Sequence, residues 1–133
     1  KITLLGWAFK KDTNDTRESA AIYIADKLMD EGAEIAVYDP KVNNEQILKD
    51  LNYLNSRSRD ENKKLLTYFD DPYKACEGTH AIAIITEWDE FKDYNWSKIY
   101  QNCVKPASIF DGRNLLEISK MKKIGFKYYG TGK

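Results

Sequence analysis

The sequence predicts an α/β domain of three layers, in which a doubly wound, mostly parallel sheet of about six strands lies between two layers of helices. Short apolar runs alternate with segments of helical period along the whole chain, which is the pattern of successive βαβ units. The run AIAII at 81–85 is apolar at every position, as a central parallel strand covered on both faces should be. The length of 133 residues is enough for one domain with its own core.

The strands are placed by apolar runs that end at turn residues. The first run, ITLL, ends at Gly6, and the second ends at the Asp39-Pro40 turn. The last run follows Gly125. The predicted strands span residues 2–5, 34–38, 65–68, 81–85, 107–110 and 126–129.

The helices follow from apolar residues at spacings of three and four and from the residues at their ends. Asp15, with Glu18 three residues later, predicts a capping box at the start of the first helix, and Gly32 predicts its end. Asp71-Pro72 predicts the start of another helix. Residues 52–64 are polar without an apolar period and are predicted to form a surface excursion. Further helices are predicted at 45–51, 95–102 and 115–121.

Charge and composition exclude several classes of function. Lys and Arg total 21, as do Asp and Glu, so no net charge attracts nucleic acid or an anionic membrane. No apolar run approaches the length that crosses a bilayer. Cys76 and Cys103, with a single histidine, fit no metal site and favour a reducing, cytoplasmic setting. The chain opens directly on a strand-like segment, so we expect no signal peptide and expect a piece of a longer protein.

The loop after the first strand, GWAFKKDTNDTRES at 6–19, stands where a dinucleotide-binding fold has its phosphate turn. A pyrophosphate approaches that turn only where side chains are missing. Trp7, Ala8 and Phe9 occupy the positions that glycines would need. The sequence therefore predicts a Rossmann-like sheet without the dinucleotide Gly-rich loop. Asp39, which could otherwise hold the ribose of NAD, is interpreted as a turn residue.

Basic residues in the loops after the first and fifth strands are candidates for binding an anion. Lys10 lies in the first of these loops, and Arg113 follows Gly112 in the second. Lysine offers a point charge, and arginine a planar fork that suits phosphate oxygens or sugar hydroxyls. The alternative is that these two residues, with Lys11 and Arg17, are solvated surface charges. Their partners would be Asp12, Asp15 and Glu18.

The remaining candidates are interpreted as structural. Trp88 could stack on a base, but a tryptophan at this place more often packs at the end of a sheet. His80 precedes a buried strand and has no partner pattern. No set of basic neighbours marks Cys76 or Cys103 as an activated thiolate, so no catalytic residue and no metal ligand is predicted in this chain.

Four segments, in order, resemble the C-terminal UDP-sugar-binding domain of the UDP-glucose/GDP-mannose dehydrogenase family, in its UDP-glucose 6-dehydrogenase members. The resemblance covers nearly the whole chain, and the excursion at 55–63 is similar to the animal-type form. The GWAF segment departs from the commoner GFAF at one aromatic residue. The segments are GWAFKKDTNDTRES, YDPKV, DPYKACEGTHAIAIITEWDEF and IFDGRNLL.

The resemblance implies a part of an oxidoreductase that converts UDP-glucose to UDP-glucuronate with two NAD. By similarity, Phe9, Lys10 and Arg113 would contact UDP-glucose or UDP-glucuronate. Arg17 would reach across a domain cleft to NAD, which an N-terminal domain mainly binds. The family's nucleophilic cysteine, catalytic lysine and asparagine, and Gly-rich loop all lie upstream. Residues 1–133 would then be the UDP-sugar domain alone, without the N-terminal and central helical regions, and inactive by themselves.

Two other functions remain open at this point. One is a sister enzyme that acts on a UDP-N-acetylhexosamine or on GDP-mannose, and the other is a free-standing nucleotide-binding module. The resemblance also implies a homo-oligomer in the longer protein, formed largely through its central helical region. A monomer remains open for this chain alone.

Overall fold

The computed structural model describes residues 1–131 and contains a single six-stranded parallel sheet in that range. The strands are β1 (Ile2–Leu5), β2 (Ile35–Tyr38), β3 (Leu66–Tyr68), β4 (Ala81–Ile84), β5 (Ser108–Asp111) and β6 (Lys127–Gly130). Their order across the sheet is β3-β2-β1-β4-β5-β6, with every neighbouring pair parallel. The predicted doubly wound α/β fold is confirmed, and each strand boundary agrees with its prediction to within one residue.

The helices form the layers on either side of the sheet. They are α1 (Ala20–Asp30), α2 (Asn44–Leu54), α3 (Arg59–Leu65), α4 (Pro72–Ala75), α5 (Trp96–Gln101) and α6 (Ile118–Ile124), with a short 3₁₀ helix at Asp89–Asp93. Because parallel crossovers are right-handed, the helices after β1 and β2 cover one face and those after β3, β4 and β5 the other. Within the layers, α1 contacts α2, α2 contacts α3, and α5 contacts α6.

The core is built on the central strands. β1 lies between β2 and β4, and its successive residues Thr3, Leu4 and Leu5, which point to opposite faces, are all completely buried. Complete burial of each large aliphatic side chain contributes roughly 1.5–3 kcal/mol. The large aliphatic strand residues that are at most 1% exposed are Leu4, Leu5, Ile35, Val37, Ile82, Ile84 and Ile109.

The first helix begins later than the sequence predicts, and the capping box at Asp15 and Glu18 is wrong. Ser19 is the N-cap of α1, because its hydroxyl accepts a first-turn N–H and donates to the carbonyl oxygen of Trp7 at 2.6 Å. Asp15 instead accepts hydrogen bonds from the backbone and guanidinium of Arg17, and Glu18 has a φ of 62°. A contact with the start of the same loop, twelve residues earlier in the chain, therefore selects Ser19 as the cap.

The polar segment at 52–64 is more ordered than a surface excursion, so that prediction is wrong in part. It contains the start of α3 and places Arg57, whose side chain is 8% exposed, against α1. The Arg57 guanidinium binds the carboxylates of Asp26 and Asp30, and its Nε donates to Asn62 Oδ1 at 3.2 Å. Polar contacts hold this segment, which is why it shows no apolar period.

The last helix also starts later than the predicted 115–121. The backbone N–H of Leu116 donates to the buried carboxylate of Asp111 at 2.8 Å. That contact holds the chain in a turn around the end of β5 and delays α6 to Ile118.

Part of one sheet face carries exposed apolar side chains. The rings of Phe110 and Tyr129 stack with their centroids 5.0 Å apart, and these residues are 48% and 51% exposed. An apolar groove of about 360 Å³ adjoins Phe110 and is lined also by Ile24, Leu28 and Ala83. Within residues 1–131, each helix is too short or too polar to cross a bilayer.

We expect Arg57→Ala to lower the free energy of unfolding by about 3 kcal/mol, because it removes a side chain that is 8% exposed and leaves the carboxylate of Asp26, 15% exposed, without its cationic partner. Chemical denaturation followed by circular dichroism measures the change. Arg59→Ala is the matched control, since Arg59 is exposed at the start of α3. Equal stabilities of the two variants would contradict the structural role of Arg57.

Candidate functional site

The candidate site lies where the carboxyl ends of β1, β4 and β5 meet. These strands are neighbours in the sheet, so the loops that follow them converge at one edge. Two buried carboxylates, those of Asp39 and Asp111, fix the loops, and the basic residues lie above them. The site is built from these carboxylates outward.

Asp39, at the end of β2, is 1% exposed and accepts five N–H groups. Its Oδ2 accepts from the backbone N of Trp7 at 2.7 Å and of Ala8 at 2.9 Å. The same oxygen accepts from the indole Nε1 of Trp88 at 3.2 Å. Its Oδ1 accepts from the backbone N–H groups of residues 41–42, so the predicted turn role is confirmed. The carboxylate is saturated inside the protein and does not face a ribose.

The first loop is packed with its own side chains. Trp7 is completely buried and donates from Nε1 to Asp50 Oδ2 at 3.0 Å. Gly6 has a φ of +101°, and a Cβ there would lie 2.5 Å from the side chain of Thr86. The Thr86 hydroxyl donates to the carbonyl oxygen of Ala8 at 2.8 Å. Side chains therefore occupy the approach that a dinucleotide pyrophosphate would use.

Asp111 sets the turn that presents Arg113. Asp111 is fully buried at the end of β5, and its Oδ1 accepts the backbone N–H of Arg113 at 3.1 Å. Its Oδ2 accepts from the backbone of Leu116 and from the hydroxyl of Tyr128 at 2.7 Å. Burial, together with this hydrogen bond, raises the pKa of Tyr128 well above its usual value, so the hydroxyl remains a donor.

The Arg113 guanidinium bridges the three loops. Its Nε donates to the carbonyl oxygen of Ile85 at 2.8 Å, and its Nη2 to that of Phe9 at 3.4 Å. Its Nη1 lies 3.3 Å from Oε2 of Glu87. The loops after β1 and β5 therefore meet at this edge of the sheet, because Arg113 contacts Phe9 directly. Its side chain stays 37% exposed and is accessible from solvent.

Phe9 and Lys10 are exposed beside Arg113. Phe9 is 46% exposed, and its backbone N–H donates to the carbonyl oxygen of Asp15 at 2.7 Å. Lys10 is exposed and has no ion-pair partner among residues 1–131. Lys11, by contrast, is a paired surface charge, although its partner at 3.5 Å is Asp89 on another segment and not an acidic residue of its own loop. An aromatic ring and an ammonium group are therefore available next to the guanidinium.

Arg17 follows the surface-charge alternative in this structure. Its side chain is 88% exposed, and its Nη2 lies 2.8 Å from Oδ2 of Asp15 on the same loop. Hydrogen bonds from Arg17 lower the pKa of Asp15 to about 2. None of the hydrogen bonds and ion pairs of residues 1–131 joins the Arg17 side chain to Phe9, Lys10 or Arg113.

The two thiols are structural, as predicted. Burial raises the pKa of Cys76 far above its ordinary value and that of Cys103 to about 11. The Cys103 thiol donates to the carbonyl oxygen of Ile99 at 3.2 Å. Among the residues described, no group of three or more His, Cys, Asp or Glu side chains could hold a metal ion. Trp88 is 6% exposed and packs at the sheet end, which confirms its structural interpretation.

Glu87 is the site residue that sequence reasoning missed. It contacts Arg113 and the backbone of Lys11, residues that are distant from it in the sequence. The signal available was an acidic residue after β4, a strand next to β5 in the predicted sheet. In the segment TEW, the tryptophan was considered as a ligand contact and the glutamate was not.

Comparison with known proteins decides the family. Residues 3–118 match the model described as the UDP binding domain of the UDP-glucose/GDP-mannose dehydrogenase family. The chain belongs to this family. UDP-glucose 6-dehydrogenases are among its relatives, with 50% identity for the Mus musculus protein and 43% for one from Arabidopsis thaliana. Each alignment includes the whole chain but only 27% and 30% of the relative, so the chain spans little more than a quarter of their length.

Solved structures from the dehydrogenase family share the fold. The UDP-D-ManNAc dehydrogenase of Pyrococcus horikoshii is 30% identical, with a TM-score of 0.71 over 98% of this chain and 25% of that one. An NDP-N-acetyl-D-galactosaminuronic acid dehydrogenase from Methanosarcina mazei has a TM-score of 0.78 at 24% identity, over 99% of this chain and 24% of that one. The second comparison supports the fold alone.

Replacement of Asp39 by asparagine should be costly, because an amide group would present donors to the N–H groups of Trp7 and Ala8. We expect Asp39→Asn to lower the free energy of unfolding by about 3 kcal/mol. Urea denaturation measures this change in the free energy of unfolding. The control is Asp70→Asn, an exposed aspartate after β3. A stability loss no larger than that of the control would show that the five contacts do not organise the loops.

Both thiols should resist modification in the folded chain. Only about one Cys103 thiol in a thousand is ionised at pH 8 when the pKa is about 11, and both side chains are buried. A chromogenic disulfide reagent at pH 8 should therefore titrate no thiol rapidly in buffer and both thiols in denaturant. Rapid reaction of either thiol in the native chain would contradict its structural interpretation.

Proposed function

We propose that residues 1–133 are the UDP-sugar-binding C-terminal domain of an NAD-dependent UDP-glucose 6-dehydrogenase. Such an enzyme oxidises UDP-glucose to UDP-glucuronate. The observation that carries the proposal is the guanidinium of Arg113, fixed between the loops after β1, β4 and β5 beside Phe9 and Lys10. The 50% identity to UDP-glucose 6-dehydrogenases over the whole chain supports the choice of substrate.

Each of the three residues has a contribution that its chemistry suits. Two of the five N–H donors of Arg113 form hydrogen bonds within residues 1–131, and Nη1 pairs with Glu87. The remaining N–H groups are available for diphosphate oxygens or sugar hydroxyls. Lys10 adds a positive charge that no acidic side chain of that range neutralises by an ion pair. Phe9 offers an exposed ring surface for the apolar faces of the ligand.

NAD is assigned mainly to a preceding domain. The first loop of this chain is filled by Trp7, and Asp39 is saturated by internal donors, so neither of the usual dinucleotide contacts is available. Arg17 is the one residue proposed to contact NAD, as an exposed cation held by Asp15. With both thiols buried, the chain supplies no nucleophile, and alone it should form no NADH from UDP-glucose and NAD.

A second substrate class has a specific observation behind it. The structure of the UDP-D-ManNAc dehydrogenase from Pyrococcus horikoshii is 30% identical over nearly the whole chain. A UDP-N-acetylhexosamine is therefore the alternative substrate, although identity to the UDP-glucose enzymes is higher. In either case we propose a cytoplasmic enzyme that is a homo-oligomer at full length.

Substitution of the proposed contacts should weaken binding of the nucleotide sugar. We expect Lys10→Ala and Arg113→Ala, each in the full-length polypeptide that contains this chain, to cost about 1–3 kcal/mol in kcat/KM for UDP-glucose. Each loses a charge-assisted contact. Steady-state kinetics measures the effect, and calorimetry compares UDP-glucose, a UDP-N-acetylhexosamine and GDP-mannose as ligands of the unmodified protein.

Lys41→Ala and Arg59→Ala are the controls, because both residues are exposed cations on other loops or helices. If the kinetics of the Lys10 and Arg113 variants equal those of the controls, the site assignment is wrong. Tighter binding of another nucleotide sugar than of UDP-glucose would replace the substrate and keep the site.

A further inference from the structure

Glu87 lies between the loops that carry the proposed ligand contacts. It belongs to the segment after β4, and its side chain is 29% exposed. Its Oε1 accepts a hydrogen bond from the backbone N of Lys11 at 2.8 Å, and its Oε2 lies 3.3 Å from Nη1 of Arg113. One carboxylate therefore ties the loop after β1 to the loop after β5.

The orientation of the Arg113 side chain depends on this carboxylate. The carbonyl oxygens of Phe9 and Ile85 accept from Nη2 and Nε, and both are neutral acceptors. Within residues 1–131, Glu87 is the one charged partner of Arg113. The ion pair with Glu87 adds an attraction between two full charges, which neither carbonyl oxygen supplies. Loss of the carboxylate would leave the guanidinium tethered mainly through Nε and able to rotate.

We propose that Glu87 is a positioning residue for the nucleotide sugar, holding the Arg113 guanidinium and the backbone of Lys11 in place before the ligand arrives. This inference rests on the proposed function. Ordering a long side chain in advance removes a loss of conformational entropy that binding would otherwise carry. The ion pair itself is partly exposed and adds little to the stability of the fold. The effect of Glu87 therefore lies in affinity.

The charge of Glu87 allows two opposite outcomes to be separated. A carboxylate close to a diphosphate repels it, so removal of the charge would tighten binding if repulsion were the larger effect. Removal of the charge weakens binding if positioning is the larger effect. Glu87→Gln separates these outcomes, because the amide keeps the size and an acceptor for Lys11 N–H but no longer pairs ionically with Arg113.

The experiment compares Glu87→Gln with Asp89→Asn in the full-length polypeptide. We expect Glu87→Gln to raise the KM and the Kd for UDP-glucose about tenfold, with kcat within about twofold. Its unfolding midpoint should match that of the unmodified protein. Asp89→Asn removes the same charge nearby from a side chain that is 63% exposed and pairs with Lys11 and Lys92. This control should leave KM within about twofold of the unmodified value.

A double variant tests whether Glu87 acts through Arg113. We expect Glu87→Gln with Arg113→Ala to bind no more weakly than Arg113→Ala alone, because the positioned group is already missing. Fully additive losses would overturn the inference. So would tighter binding by Glu87→Gln, or equal effects of Glu87→Gln and Asp89→Asn. If the unmodified protein bound no UDP-sugar, the proposed function would fail; normal binding with an unaffected Glu87→Gln variant removes the positioning role alone.

Discussion

A single buried carboxylate, that of Asp39, organises the edge of the sheet on which the rest of the site depends. It accepts N–H groups from the first loop, from its own turn and from the indole of Trp88. A buried charge is tolerable only when donors surround it, and five donors meet that requirement. In a dinucleotide binder, an acid at this strand end holds a ribose. Here the acid at the same position binds N–H groups of the protein itself.

The carboxylates of the site differ in the groups that bind them. Asp39 and Asp111 are buried, and backbone N–H groups with neutral side-chain donors satisfy them. Glu87 is partly exposed and pairs with a guanidinium. Neutral donors fix the buried carboxylates and the loops, whereas the charged pair lies nearer the surface and holds the Arg113 guanidinium. Buried support below an accessible, oriented guanidinium is a preorganised arrangement, which favours ligand binding.

The sequence predicts the sheet well because apolar runs and turn residues are local signals. The same reasoning places Phe9 and Arg113 at strand ends, and the parallel order brings them together. Prediction from the sequence fails where the local structure depends on contacts between residues far apart in the chain. Ser19 displaces the expected cap because its hydroxyl also reaches Trp7, and Arg57 orders a polar segment through acids on α1. No short-range pattern indicates either contact.

The stacked rings of Phe110 and Tyr129 and the neighbouring apolar groove form an exposed apolar surface on one face of the domain. The numbers of acidic and basic residues are equal, so electrostatic repulsion between copies is weak at neutral pH. The solubility of the domain therefore depends on contacts between copies through this apolar surface as well as on the stability of the fold. Substitutions that add charged side chains of one sign around this surface, away from the edge that carries Arg113, should raise the solubility of the domain at high concentration.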